Sequence, residues 1–192
     1  MFKDDTLITT LDTLSKDHQP LIIGIDGRSA SGKTSLARFL ANEFKASIIH
    51  IDDFFLPAVE QTPEQLADPG GNIDFDRFIS QVKKPLQKDS TLIYQVFSCK
   101  KQDFINEVTI SAASIIVIEG AYSHHPKLAG LYDYTIFLTH DYQTQKNRIL
   151  HRNGSDGLKM FEERWIPREE KYFKTYAIEN KAAYIIDTRY LF

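Results

Sequence analysis

The stretch "LIIGIDGRSASGKTSLARFLANEF", residues 21–44, passes from an isoleucine-rich run through a glycine-bounded loop into a helical pattern. Within it, "GRSASGKT" fits G-x-x-x-x-G-K-[ST], with Gly27, Gly32, Lys33 and Thr34 at the fixed places. The strand before and the helix after supply the context that the motif needs. Glycine admits backbone angles closed to other residues, so successive N–H groups can turn inward as a nest for phosphate oxygens. The partial positive end of the following helix points to the same place. The residues Gly27, Ser29, Ala30, Ser31, Gly32, Lys33, Thr34 and Ser35 are therefore expected to hold ATP. In that arrangement Lys33 bridges the β- and γ-phosphates and Thr34 offers its hydroxyl to Mg²⁺.

The rest of the pattern suits such a loop. "LIIGID" (21–26), "SIIHID" (47–52), "SIIVIEG" (114–120), "YTIFLT" (134–139) and "AYIID" (183–187) are short apolar runs of the kind covered on both faces in a parallel sheet. Helical patterns fall at about 33–45, 75–87, 141–151 and 156–180, and alternation of the two predicts a three-layer α/β P-loop fold. "LIYQVF" (92–97) and "NEVTIS" (106–111) are expected to form a small antiparallel excursion on the substrate side. The turn-rich segment 57–74 is expected to be a substrate-side loop.

With 192 residues, 42% of them hydrophobic, the chain reads as one domain spanning 1–192 with an ordinary core. A net charge of −3 argues against general binding to nucleic acid or a membrane surface. The lone Cys99 excludes an internal disulfide. Nothing reads as a signal peptide or a membrane span, so a cytoplasmic location is expected, with the oligomeric state left open.

Ligands of open α/β sheets bind beyond the carboxyl ends of the strands. "SIIHIDDFF" puts Asp52 and Asp53 at such an end, where a carboxylate can take the proton of an attacking hydroxyl or join a metal shell, with Asp53 expected on the substrate side; an acidic helix cap is the competing role. "IIVIEG" likewise places Glu119 to reach Mg²⁺ or orient Asp52. Phe54 and Phe55 could wall an acceptor pocket or belong to the core. A guanine-reading N-K-x-D is missing, since "NKAA" ends in Ala183, and this disfavours a switch GTPase.

"IGIDGRSASGKT", "HIDDFF", "NIDFDRF" and "IEGAY", in this order, resemble the uridine kinase and phosphoribulokinase family of P-loop kinases; nicotinamide riboside kinases share a similar D-D-F-F stretch. The resemblance covers most of residues 20–187. It implies phosphoryl transfer from ATP to a hydroxyl, with Asp52 as catalytic base and Glu119 as a Mg²⁺-side acid. It also implies Asp74 of "NID" as a holder of substrate hydroxyls and Tyr94 as a substrate-side tyrosine. Cys99 stands where the resemblance places a base-contacting histidine. "NRILHRNGSDG" supplies Arg148 and Arg152, one helical turn apart, to a short lid at about 148–158 that ends in an Asn-Gly turn.

The acceptor is expected to be a nucleoside or similar ribose-bearing molecule. Pantothenate, glycerate and other alcohols stay open, as does a nucleotide-binding regulator or ATPase without an acceptor. His50 is read as a satisfied buried histidine and "SHHP" (123–126) as a loop near the active side. Trp165, Phe161, Tyr172, Phe173 and Tyr176 are read as mostly packing, and Arg168 and Lys171 as near the ligand at most.

Overall fold

The computed structural model describes residues 4–88, 91–111 and 113–190, so parts of the expected 1–192 domain lie outside the described residues. Five parallel strands form the main sheet: β1 (Leu21–Gly27), β2 (Ser47–His50), β5 (Ile115–Glu119), β6 (Tyr134–Thr139) and β7 (Tyr184–Asp187), in the order β2-β5-β1-β6-β7. The antiparallel pair β3 (Leu92–Ser98) and β4 (Asp103–Ile110) stands apart as its own two-stranded sheet, with a register shift at Val96/Phe97.

Alternation along the strands sends side chains to two cores. In β5, Ile115 and Val117 face α1 (Asp5–Asp17) and α2 (Lys33–Phe44), where they meet Leu7, Leu11, Leu36 and Leu40. Ile116 and Ile118 face the other way, toward Phe54, Phe78, Tyr94, Tyr172 and Phe173. The result is the three-layer arrangement expected from the sequence, with the short α3 (Pro63–Ala67) lying in the long loop after β2. None of the described helices is long and apolar enough to cross a membrane.

Two helical stretches predicted as continuous contain wider turns. The first runs from α4 (Phe75–Phe78) through a π turn at Ile79–Lys83 into α5 (Lys84–Leu86). The second follows α6 (Tyr142–Met160) with a π turn at Phe161–Trp165 and then α7 (Ile166–Tyr176). Each π turn is followed two residues later by a proline, Pro85 or Pro167. A proline ring crowds the carbonyl one turn back and donates no hydrogen bond, and widening that turn relieves both problems.

The expected break at Asn153-Gly154 is a kink inside α6, where Gly154 has φ 73° and ψ −177°. Segment 148–158 is thus helical on both sides of one positive-φ glycine. The short α8 (Ile178–Lys181) leads into β7.

Candidate active site at the sheet's carboxyl edge

β1 ends at Gly27, whose φ of 142° and close approach to β6 exclude a side chain. A Cβ there would lie 2.1 Å from the Leu138 carbonyl oxygen. The chain then turns through Ala30 (φ 62°) and Gly32 (φ 96°), both left-handed, before α2 begins at Lys33. Left-handed residues set among right-handed ones direct consecutive amides to one side, and the first amides of α2 have no partner within the helix. The hydroxyl of Ser31, fully buried, has no hydrogen-bond partner either. Lys33 folds back over the loop and donates to the carbonyls of Gly27 (2.7 Å) and Arg28 (3.1 Å).

This loop lines a cleft of 790 Å³ together with Asp52, Phe55, Asn72, Glu119, Tyr122, Arg148, Arg152, Phe161, Trp165 and Glu169. Glu119, at the tip of β5, is buried, and its Oε1 accepts from Thr34 Oγ1 at 3.1 Å and meets His50 Nδ1 at 2.6 Å. The hydrogen bond to Glu119 raises the pKa of His50 against the opposing effect of burial. His50 is thus half-exposed and paired rather than a buried strand residue.

Asp52 is the second residue of a 3₁₀ turn at Ile51–Phe54. Water reaches its carboxylate through the cleft, yet the cleft is concave and protein surrounds the group. Loss of hydration raises its pKa to about 6, helped by the charge of Glu119 and opposed by Lys33 and His50. Oxygen donors dominate this corner: Thr34, Glu119 and Asp52 line one wall, with two carboxylates that repel each other. That is the donor chemistry of a Mg²⁺ site, in which a few protein oxygens accompany water and phosphate.

Three of the expected substrate residues lie away from the cleft wall. Tyr94 is buried and donates to Asp53 Oδ2 at 3.3 Å, so this pair braces the turn behind Asp52. Asp74 caps α4 by accepting the Arg77 N–H (2.9 Å) and also pairs with the Arg77 guanidinium (3.2 Å); it lines a second cavity of 210 Å³ with His125 and Lys127. Cys99 is exposed in the turn of the hairpin.

Arg148 spans the loop and the sheet edge. It donates to the Ala30 carbonyl (3.3 Å) and to the hydroxyl (3.0 Å) and carbonyl (2.6 Å) of Thr188. Arg152 is more exposed, bonded to Asn153 and lying over the Phe161 ring.

Several cleft residues escaped the sequence reading. Phe161 and Trp165 line the wall instead of serving only as packing. Asn72 sits in the cleft where Asp74 was expected. Tyr122 lies in the left-handed region (φ 72°), a conformation that costs a bulky residue energy and often marks a functional position. Glu169 of α7 is buried against the phosphate loop. The helix-capping role of Asp74 was the one signal available in the sequence, since an aspartate directly before F-x-x-F is also a helix start.

A phosphate loop at the end of the first strand of a parallel sheet, with acids at neighbouring strand tips, defines the P-loop NTPase class of α/β folds. Within that class, the chain belongs to the phosphoribulokinase / uridine kinase family, whose model matches residues 22–157. It is 27% identical to uridine-cytidine kinase D of Dictyostelium discoideum over 125 residues, 65% of this chain and 25% of that protein. It is 30% identical to uridine-cytidine kinase-like 1 of Mus musculus over 155 residues, 74% of this chain and 28% of that protein. The chain thus spans about a quarter of the length of these relatives. A solved structure described as a "possible uridine kinase" from Bacillus stearothermophilus shares the fold. Its TM-score is 0.69 over 94% of this chain and 99% of that one, at 20% identity.

Proposed function

We propose that this chain is an ATP-dependent kinase that phosphorylates a hydroxyl of a nucleoside or similar ribose-bearing metabolite. The observation that carries the reading is the convergence of the phosphate loop, Asp52 and the Thr34–Glu119 pair on one cleft. In this reading the Asp52 carboxylate accepts the proton of the attacking hydroxyl. Lys33 exchanges the Gly27 and Arg28 carbonyls for phosphate oxygens. Thr34, Glu119 and Asp52 would hold Mg²⁺, which supplies neutralisation of phosphate charge. Arg148, already against the loop, and Arg152 on the next turn of α6 add positive charge on the lid side.

On the acceptor side the reading assigns contact to Asn72 and Tyr122, which line the cleft. Asp53 and Tyr94 act as a brace for Asp52, and Asp74 as the cap that sets α4. Support for a nucleoside acceptor comes from the family and from the names of the relatives.

The test is acceptor-dependent ADP release with ATP, Mg²⁺ and a panel of nucleosides, pantothenate and glycerate. Release that depends on one nucleoside is expected. Hydrolysis indifferent to every acceptor would instead identify an ATPase or nucleotide-binding regulator.

A further inference from the structure

Beside the main cleft lies a smaller cavity of 90 Å³, and Asn72 and Tyr122 belong to the walls of both. The far side of the small cavity carries Arg168 and Lys171 of α7. Two nitrogen atoms here are buried without a hydrogen-bond partner: Nδ2 of Asn72, a residue only 2% exposed, and Nη1 of Arg168. Tyr122 completes the wall that the two cavities share. A folded chain rarely leaves buried donors unpaired, because each has surrendered its bonds to water. Two buried, unpaired donors on residues that line one small cavity call for an acceptor that the chain itself does not provide.

The charges narrow the choice. Lys171 is committed to the Ala67 carbonyl at 2.6 Å, so the guanidinium of Arg168 is the cation left to answer a ligand. Arg168 lies near the Trp165 ring, which fixes its plane, and burial disfavours its charge, with Arg164 adding repulsion. Asp68 also borders the cavity but is exposed and solvated. One half-buried positive charge with a buried, unpaired nitrogen, beside the neutral Asn72 amide, suits a singly charged planar group and does not balance a dianion.

We infer that the Asn72–Tyr122–Arg168 wall is a subsite for a carboxylate on the acceptor molecule. The inference rests on the kinase reading, and it narrows the acceptor to a hydroxyl compound that also carries a carboxylate. The hydroxyl faces Asp52 while the carboxylate sits between Asn72 and Arg168. An acceptor without the carboxylate would leave both nitrogens unpaired.

Matched acceptor pairs that differ only in the carboxylate test this: nicotinate riboside against nicotinamide riboside, and glycerate against glyceramide. The wild-type protein is expected to favour the carboxylate member by about 10- to 100-fold in kcat/KM, the range for a charged buried hydrogen bond. Arg168→Gln should cut kcat/KM for the carboxylate member by a similar factor and more than for its neutral partner. Asn72→Asp, which swaps a donor for a negative charge in the same shape, should reverse the preference. Thermal melting checks that both variants fold.

A preference for neutral members, or equal losses on both members in Arg168→Gln, would overturn the subsite while leaving the kinase reading standing. If no acceptor supports ADP release, the kinase reading fails. Calorimetric titration of nicotinate riboside into the wild-type protein and Arg168→Gln, with Mg²⁺ and a non-hydrolysable ATP analogue, then decides the subsite separately. Binding that Arg168→Gln abolishes upholds it, and no binding, as for a cavity filled only by water, sinks it.

Discussion

Glu169 accepts two hydrogen bonds from Ser29, one from its backbone N–H (3.0 Å) and one from its hydroxyl (2.5 Å). The next residue, Glu170, grips Arg28 at 2.9 Å, so two consecutive acids of α7 hold two consecutive residues of the phosphate loop. The helix after the lid is thereby tied to the cradle. Glu169 bears the cost of that position: burial pushes its pKa up, while Lys33 and the Ser29 bonds pull it back. Glu169→Ala is expected to lose about 1–3 kcal/mol in urea unfolding, the usual effect of stripping a buried bonded group. Glu169→Gln should lose less, because its carbonyl oxygen can still accept one of the two bonds. Equal stability of the alanine variant and the wild type would show that the tie carries no energy.

Asp52→Asn should separate stability from chemistry. The folded pKa of about 6 lies above the unfolded value, so the fold prefers the protonated group. Its contribution is fully present below pH 3.8, fades as the pH rises through 6, and is absent at pH 7. The amide mimics the favoured neutral form. Without Mg²⁺ at pH 7 it should stabilise the protein by about 1 kcal/mol, a figure discounted for the water that reaches the group through the cleft. Phosphoryl transfer should fall by about 10²–10⁴, the range for loss of a positioned base, while ATP binding persists. A transfer rate within a few-fold of wild type would remove Asp52 from the role of base.

The same carboxylate gives a direct pH readout. Carboxyl NMR of the metal-free protein should place the Asp52 midpoint near pH 6, and Glu119→Gln should move it down by removing a repelling neighbour. Added Mg²⁺ should also move it down, since a cation favours the charged form. A midpoint that ignores both changes would mean that Asp52 feels neither Glu119 nor the metal.

Lys33→Ala removes a side chain that, in the free protein, bonds only to loop carbonyls. Gly27 is buried and Arg28 half-buried, so losing both bonds should cost about 1 kcal/mol of stability. Affinity for an ATP analogue, measured by calorimetry, should drop about 10- to 100-fold, as expected when a charge-assisted contact to phosphate is lost. Unchanged affinity would show that Lys33 does not leave the carbonyls for the ligand.

Much of this site was legible because its residues are fixed by covalent spacing. Lys33 and Thr34 follow Gly27 at set distances along one strand-loop-helix unit, and Asp52 and Glu119 end apolar runs whose parallel register brings the tips together. Asn72, Tyr122 and Glu169 obey no such spacing. They come from a long loop, a strained turn and a helix face, and only tertiary packing makes them neighbours. Asp74 illustrates the converse difficulty. An aspartate in front of a helix satisfies the helix's own amides as readily as a ligand, and here Arg77 takes it. The π turns before Pro85 and Pro167 were foreshadowed by the prolines, but a helical pattern does not distinguish widening from interruption.

His125 should set a limit on acid stability. It is buried, stacks on Phe75 at 4.3 Å, and lies near Tyr176. Its Nδ1 accepts the Lys127 N–H at 3.2 Å, which leaves Nε2 to carry the proton toward the Pro69 carbonyl at 3.1 Å. Both ring nitrogens are satisfied in that neutral tautomer, and a second proton would have to displace the Lys127 amide. Burial, with the Lys127 charge second, accordingly lowers the pKa to about 4. The stability this provides is fully present above pH 6.5 and is lost as the pH falls toward 4, because the unfolded chain takes up the proton first. At pH 5 the loss should be about 1–2 kcal/mol relative to pH 7, allowing for partial exposure of the ring. His125→Gln should lower the melting temperature at pH 7 and flatten its pH dependence between 6.5 and 4. A variant as steep as the wild type across that interval would mean that other groups govern the acid transition.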